Sequence, residues 1–123
     1  MKATYIGAPQ CFQLELCCKQ LKDAFCKEGI CGIYLVGSSL ERPTWRDIDV
    51  RLIMDDDSFA KLFPDAGQHW EHDSRWLIMT CSISKWLKEM TGLPIDFQFQ
   101  PMSHANKRHK GLRSALGLHI VKE

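Results

Sequence analysis

Apolar residues along the chain fall into two periods, one near 3.6 and one of 2, and the alternation between them outlines the elements. Leu14, Cys17, Cys18, Leu21 and Phe25 recur at steps of three or four, so residues 9–28 are predicted to form a helix with one buried stripe, stopped by Gly29. Residues 30–36 are a short apolar run bounded by Gly32 and Gly37, which reads as a buried strand. Residues 38–46 are polar, contain Pro43 and read as a loop. From 47 to 54 the period is 2. Ile48, Val50 and Leu52 face one way, and Asp47, Asp49 and Arg51 the other. The acidic knot Asp55, Asp56, Asp57 with Ser58 suits the start of a short helix running through Phe63, which Pro64 ends.

A second long helix is predicted from Asp73 or Ser74. Trp76, Thr80, Ile83, Leu87 and Met90 give its apolar stripe, and Gly92 stands where a C-terminal glycine belongs. After Pro94, residues 95–100 alternate again, with Ile95, Phe97 and Phe99 inward and Asp96, Gln98 and Gln100 outward. The segment beyond Pro101 has no clear period, apart from a short strand expected near 118–121. The succession of helices and strands gives an α/β (α+β) fold, a small mixed sheet with helices packed on it.

With 123 residues, 45% of them hydrophobic and 25% charged, the chain fits one globular domain spanning 1–123, with a core at about 33–100 and a basic tail at 101–123. No apolar run approaches the ~20 residues of a membrane span, so no membrane is expected. The formal charge of +1 is lower than a nucleic-acid coat protein usually carries. The charge is uneven, however. Lys107, Arg108, Lys110 and Arg113 form a run without acids, which reads either as a solvated tail or as a contact to a nucleotide or nucleic acid. The start, with one Lys and no sustained apolar stretch, is not read as a secretory signal. Five of the six cysteines lie in the first quarter of the chain, several on the first predicted helix, and no C-x-x-C pair occurs. Reduced cysteines packed as small apolar residues, in a cytoplasmic setting, are therefore expected, and a zinc ribbon is not.

Candidate chemistry comes from polar residues that interrupt strands otherwise built for burial. Asp47 and Asp49 lie two apart on one strand, so both point to the same face with roots about 6–7 Å apart. Asp96 stands on the polar face of a later strand and joins them if the two strands are neighbours. Three such carboxylates repel one another unless a cation neutralises them, and a hard ion, Mg²⁺ or Mn²⁺, suits their oxygen donors. Directly after the first strand, Val36-Gly37-Ser38-Ser39 offers a glycine and small hydroxylated residues whose backbone N–H groups are open to an anion. Arg42, Arg46 and Arg51 follow closely and are able to add charge-assisted bonds to a phosphate.

These residues resemble the polymerase β-like nucleotidyltransferase superfamily. Its pattern reads here as Gly37-Ser38, eight intervening residues, Asp47-Ile48-Asp49-Val50, then Asp96 within Pro94-Ile95-Asp96-Phe97. The likeness runs from about Ile33 to Gln100, and the chain length is similar to that of the minimal members. It departs where those members commonly carry Ala-Arg-Gly, having Leu40-Glu41-Arg42-Pro43 instead. The resemblance implies transfer of a nucleoside monophosphate from an NTP to a hydroxyl, with release of pyrophosphate. Asp47 and Asp49 would hold two metal ions, Asp96 would sit near the attacking hydroxyl, and Ser38 with its neighbouring amides would grip the phosphates. The acceptor would be an RNA 3′ end, a protein side chain or a small molecule. A small helical partner protein or a second copy of the chain is the association such minimal members suggest. The alternative is a catalytically inactive protein of the same fold that binds a nucleotide, a nucleic acid or another protein.

Other clusters have plainer readings. His69 and His72 lack further ligands at suitable spacing and are expected to face solvent. Trp70, Trp76 and Trp86 are expected to anchor the core or an interface.

Overall fold

A computed structural model of the chain describes residues 8–37, 47–111 and 113–117. Helix α1 (Ala8–Phe25) leads through a turn into strand β1 (Cys31–Val36), and β2 (Ile48–Met54) follows. Then come α2 (Asp56–Leu62), a 3-10 segment (Gly67–His72), α3 (Ser74–Thr91), β3 (Ile95–Pro101), α4 (Met102–Arg108) and the short β4 (Ser114–Leu116). The four strands form one mixed sheet in the order β3-β2-β1-β4. β1 runs antiparallel to both β2 and β4, whereas β2 and β3 are parallel. A parallel pair cannot be joined by a tight turn, and the connection through α2, the 3-10 segment and α3 supplies the necessary crossover.

One face of the sheet carries the core. Ile33, Leu35, Ile48, Val50, Leu52, Ile95, Phe97 and Phe99 are all buried there, and Leu14, Cys18 and Leu21 of α1 and Leu87 of α3 close over them. This is the alternation expected from the sequence, and the helical stripe of α1 is likewise the expected one. The short helix α2 is capped by Asp55, whose side chain accepts from the Ser58 backbone N–H and from its hydroxyl, at 3.1 and 2.8 Å. Asp73 caps α3 by accepting from the Trp76 N–H, and Gly92 ends that helix in the left-handed conformation at φ 72°. Trp70 and Trp76 are buried and stacked edge to face, while Trp86 is half-buried against the core.

Several expectations are corrected. Met90 was expected on the buried stripe of α3 but is half exposed, and Thr91 is buried in its place, its hydroxyl donating to the Leu87 carbonyl. Ile30 lies outside β1 and is exposed, since the reversal at Gly29 comes directly before it. The cysteines are not all reduced, because Cys26 and Cys31 are joined by a disulfide across that reversal, their Cα atoms 5.3 Å apart. The segment after Pro101 is not merely a tail. It forms α4, and Ser114–Leu116 then joins the sheet beside β1. Arg113 is part of this fold, donating to the carbonyls of His109 and Ala105. The strand expected at 118–121 lies outside the described residues. Among the described residues no helix is long and apolar enough to cross a membrane.

Candidate functional site

The second face of the sheet is polar at its centre, and the parallel register of β2 and β3 builds it. Asp49 is the direct register partner of Asp96, and Arg51 of Gln98. On the other side of β2, Val36 pairs with Asp49 and Tyr34 with Arg51. Two carboxylates from strands 47 residues apart are thereby set side by side. Gly37, which follows β1 at φ 84°, lies against the Asp49 carboxylate, and a Cβ there would stand 2.6 Å from Asp49 Oδ2. Glycine is required at this point both for the backbone angle and for that approach.

Arg51 occupies the middle of the face. Its side chain is 8% exposed, against 31% for Asp49 and 48% for Asp96. One guanidinium nitrogen donates to the Asp96 carbonyl at 2.6 Å and to the Val50 carbonyl at 3.1 Å. The other donates to Asp96 Oδ2 at 3.2 Å and lies 3.8 Å from Asp49 Oδ1. The Nε of Arg51 is buried without a hydrogen-bond partner among the described residues. Burial raises the Asp49 carboxyl pKa above its ordinary value, the negative charges of Asp96 and Asp47 raise it further, and Arg51 opposes them. Asp47 is exposed immediately before β2 and is close enough to act on Asp49 through its charge.

The polar surface continues along β3. The Gln100 amide donates to Gln98 Oε1 at 3.0 Å, and His109 Nε2 lies 3.0 Å from Gln100 Oε1. Since the Gln100 oxygen accepts, His109 presents its Nε2–H to it. Burial pushes the His109 pKa down to about 4, aided by the positive charges of Arg51, Arg113, His104 and Arg108. His109 is therefore neutral at pH 7.

Of the residues singled out from the sequence, the structure brings together Gly37, Asp49, Arg51 and Asp96, with Asp47 beside them. Ser38, Ser39, Arg42 and Arg46 lie outside the described residues. Arg51 was expected on the carboxylate face and is found there, with its bonds directed to Asp96, Asp49 and Val50. Gln98, Gln100 and His109 were not singled out. The two glutamines were visible as the polar phase of β3. His109 arrives only because α4 folds the chain back over the sheet, for which no periodicity gave a signal. His69 and His72 face solvent, as expected.

The donor chemistry of Asp49 and Asp96, hard oxygens at partly shielded positions, fits a divalent cation of the Mg²⁺ class. The pair alone does not complete a cage. Among the described residues no group of three or more His, Cys, Asp and Glu side chains is arranged to hold a metal ion, and the positive charge the pair needs is supplied by Arg51. Comparison of the chain with protein-family models, with curated proteins and with solved structures gave no match in any of the three. The chemistry of this face is therefore read from its own residues.

Proposed function

We propose that this protein is a metal-dependent nucleotidyltransferase that moves a nucleoside monophosphate from an NTP to a hydroxyl acceptor and releases pyrophosphate. The observation that carries the reading is the register of Asp49 with Asp96 on parallel strands, with Asp47 acting on the same charge and Gly37 against the Asp49 carboxylate. Asp47, Asp49 and Asp96 would hold Mg²⁺ or Mn²⁺. The bound cation would supply the charge that stabilises the attacking and leaving oxygens of an in-line displacement. Asp96, the more exposed of the pair, would stand beside the acceptor hydroxyl. Gly37 keeps side-chain bulk away from the carboxylates; Ser38 with the neighbouring Ser39 amide would grip the phosphates as the resemblance implies, and the Arg42 guanidinium would add a charge-assisted bond to them. The acceptor would be an RNA 3′ end, a protein side chain or a small molecule, in a cytoplasmic setting.

A second reading is a non-catalytic module of the same fold that binds a nucleotide, a nucleic acid or a protein. The ion pairs that Arg51 makes across the carboxylates favour it, because they neutralise the pair without a metal. Calorimetric titration of the four NTPs, with and without Mg²⁺, separates the two. For the transferase, binding requires Mg²⁺ and is lost in the Asp47→Asn, Asp49→Asn double variant. Asp96→Asn should keep NTP affinity within about threefold yet lower turnover by two orders of magnitude or more, on the order of the loss of one charge-stabilising group. Binding by the double variant equal to that of the wild type would overturn the transferase reading.

A further inference from the structure

Arg51 is an unusual neighbour for a cation site, since a buried guanidinium stands where positive charge is wanted. Three observations bear on it. Its side chain is more than nine-tenths buried, and it faces both carboxylates at once, 3.2 Å from Asp96 and 3.8 Å from Asp49. A main-chain anchor to the Asp96 carbonyl holds it in place. Among the described residues its Nε donor is buried with no acceptor, so the guanidinium is not fully satisfied by them where it lies.

We infer that Arg51 is a built-in competitor for the divalent cation at the Asp49–Asp96 pair. This inference rests on the reading above that the pair takes such a cation. In the metal-free protein Arg51 holds the two carboxylates together and lowers their mutual repulsion. A divalent cation brings twice the charge to the same oxygens but must displace the guanidinium from them. The site therefore binds cations more weakly than the bare pair would, and loading it frees a positively charged group on the same face. Arg51 acts on the reaction through Asp49 and Asp96, as a positioning residue.

The test is Mn²⁺ binding by wild type, Arg51→Met and Asp49→Asn, read from the paramagnetic resonance of free Mn²⁺ with no nucleotide present. Methionine keeps much of the volume of the arginine stem without its charge. The expected result is Asp49-dependent binding by the wild type and binding tighter by on the order of tenfold in Arg51→Met, the gain from removing one competing ion pair. Uptake by Arg51→Met alone supports the inference equally. Wild-type binding with equal or weaker affinity in Arg51→Met overturns the competition while leaving the metal site standing. No uptake by either protein removes the metal site, and the inference with it. Should Arg51→Met fail to fold, the arginine Nε–H resonance of ¹⁵N-labelled wild type is followed during Mg²⁺ titration. That signal should shift in the wild type and stay fixed in Asp49→Asn, and a signal unmoved at saturating Mg²⁺ in the wild type is the contrary result.

Discussion

At the scale of single residues, His109 shows how a side chain without any local sequence signal is tuned by the fold. Its ring is partly buried between α4 and β3, donates to Gln100, and faces Arg51, Arg113, His104 and Arg108, so its pKa falls to about 4 from an ordinary 6.5. The sign of the consequence follows from linkage. Above pH 6.5 the ring is neutral both folded and unfolded and has no pH-dependent effect on stability. Between 6.5 and 4 the unfolded chain takes up a proton that the folded chain resists, so stability falls as the pH falls. Thermal unfolding between pH 7 and 4.5 should show a shallower loss for His109→Gln than for wild type, because glutamine keeps a donor for Gln100 and cannot titrate. Parallel curves would mean that the ring is solvated and ordinary.

Elements pose a different problem, namely how the sheet's outer strand is protected. Among the described strands β3 bonds to β2 along one edge only, and along the other it leaves the backbone N–H and carbonyl of Phe97 and the carbonyl of Phe99 without a strand partner, while both rings stay buried in the core. Helix α3 covers that edge with side chains. The Ser84 hydroxyl oxygen accepts from the Phe97 N–H at 3.0 Å and lies 3.2 Å from the Phe97 carbonyl, to which it donates, and the Trp76 indole donates to the Phe99 carbonyl at 2.9 Å. An uncovered edge would offer its backbone to another chain. Ser84→Ala strands both Phe97 groups, and chemical denaturation should report a loss of about 1–3 kcal/mol, with a matching increase in aggregation on heating. A change below about 0.5 kcal/mol would mean that water replaces the hydroxyl at no cost. The extent and type of these elements were readable from the period of apolar residues, because α1, α3 and β3 each bury one continuous stripe. The pairing of β2 with β3 was open at that level, since no spacing fixes which strands become neighbours. The Asp49–Asp96 juxtaposition was thus a conditional expectation that the sheet order resolves. Arg51 shows the limit from the other side. Alternation placed it on the carboxylate face, but α4 and His109, which pack against β2 and β3 beside it, carry no apolar stripe that announces them.

For the whole molecule, the passage from α1 into the sheet is tied by a link that the composition argued against. The cysteines read as reduced because five lie in the first quarter of the chain, several on the first predicted helix, with no secretory signal read before them. Cys26 and Cys31 nevertheless meet because the chain reverses at Gly29, at φ 69°, between them. Their bridge ties the end of α1 to the first residue of β1, where Cys31 pairs with Met54 of β2. The same reversal is held a second time, by the Ile30 N–H donating to Asp55 Oδ1 and the Asp55 N–H donating to the Ile30 carbonyl. Reduction therefore removes a short-loop constraint without freeing the turn. The chain-entropy effect of so small a loop is about 2 kcal/mol, a drop in Tm on the order of 10 °C for a domain of this size. Unfolding of the oxidised protein, the reduced protein and Cys26→Ser should place the last two together, below the first. Nucleotide and Mn²⁺ binding should be equal in all three, because the bridge lies at the opposite end of β2 from Asp49. Coincident unfolding curves for all three would show instead that the Asp55 hydrogen bonds alone close the turn. Loss of Mn²⁺ binding on reduction would show that the two ends of β2 are coupled through the sheet.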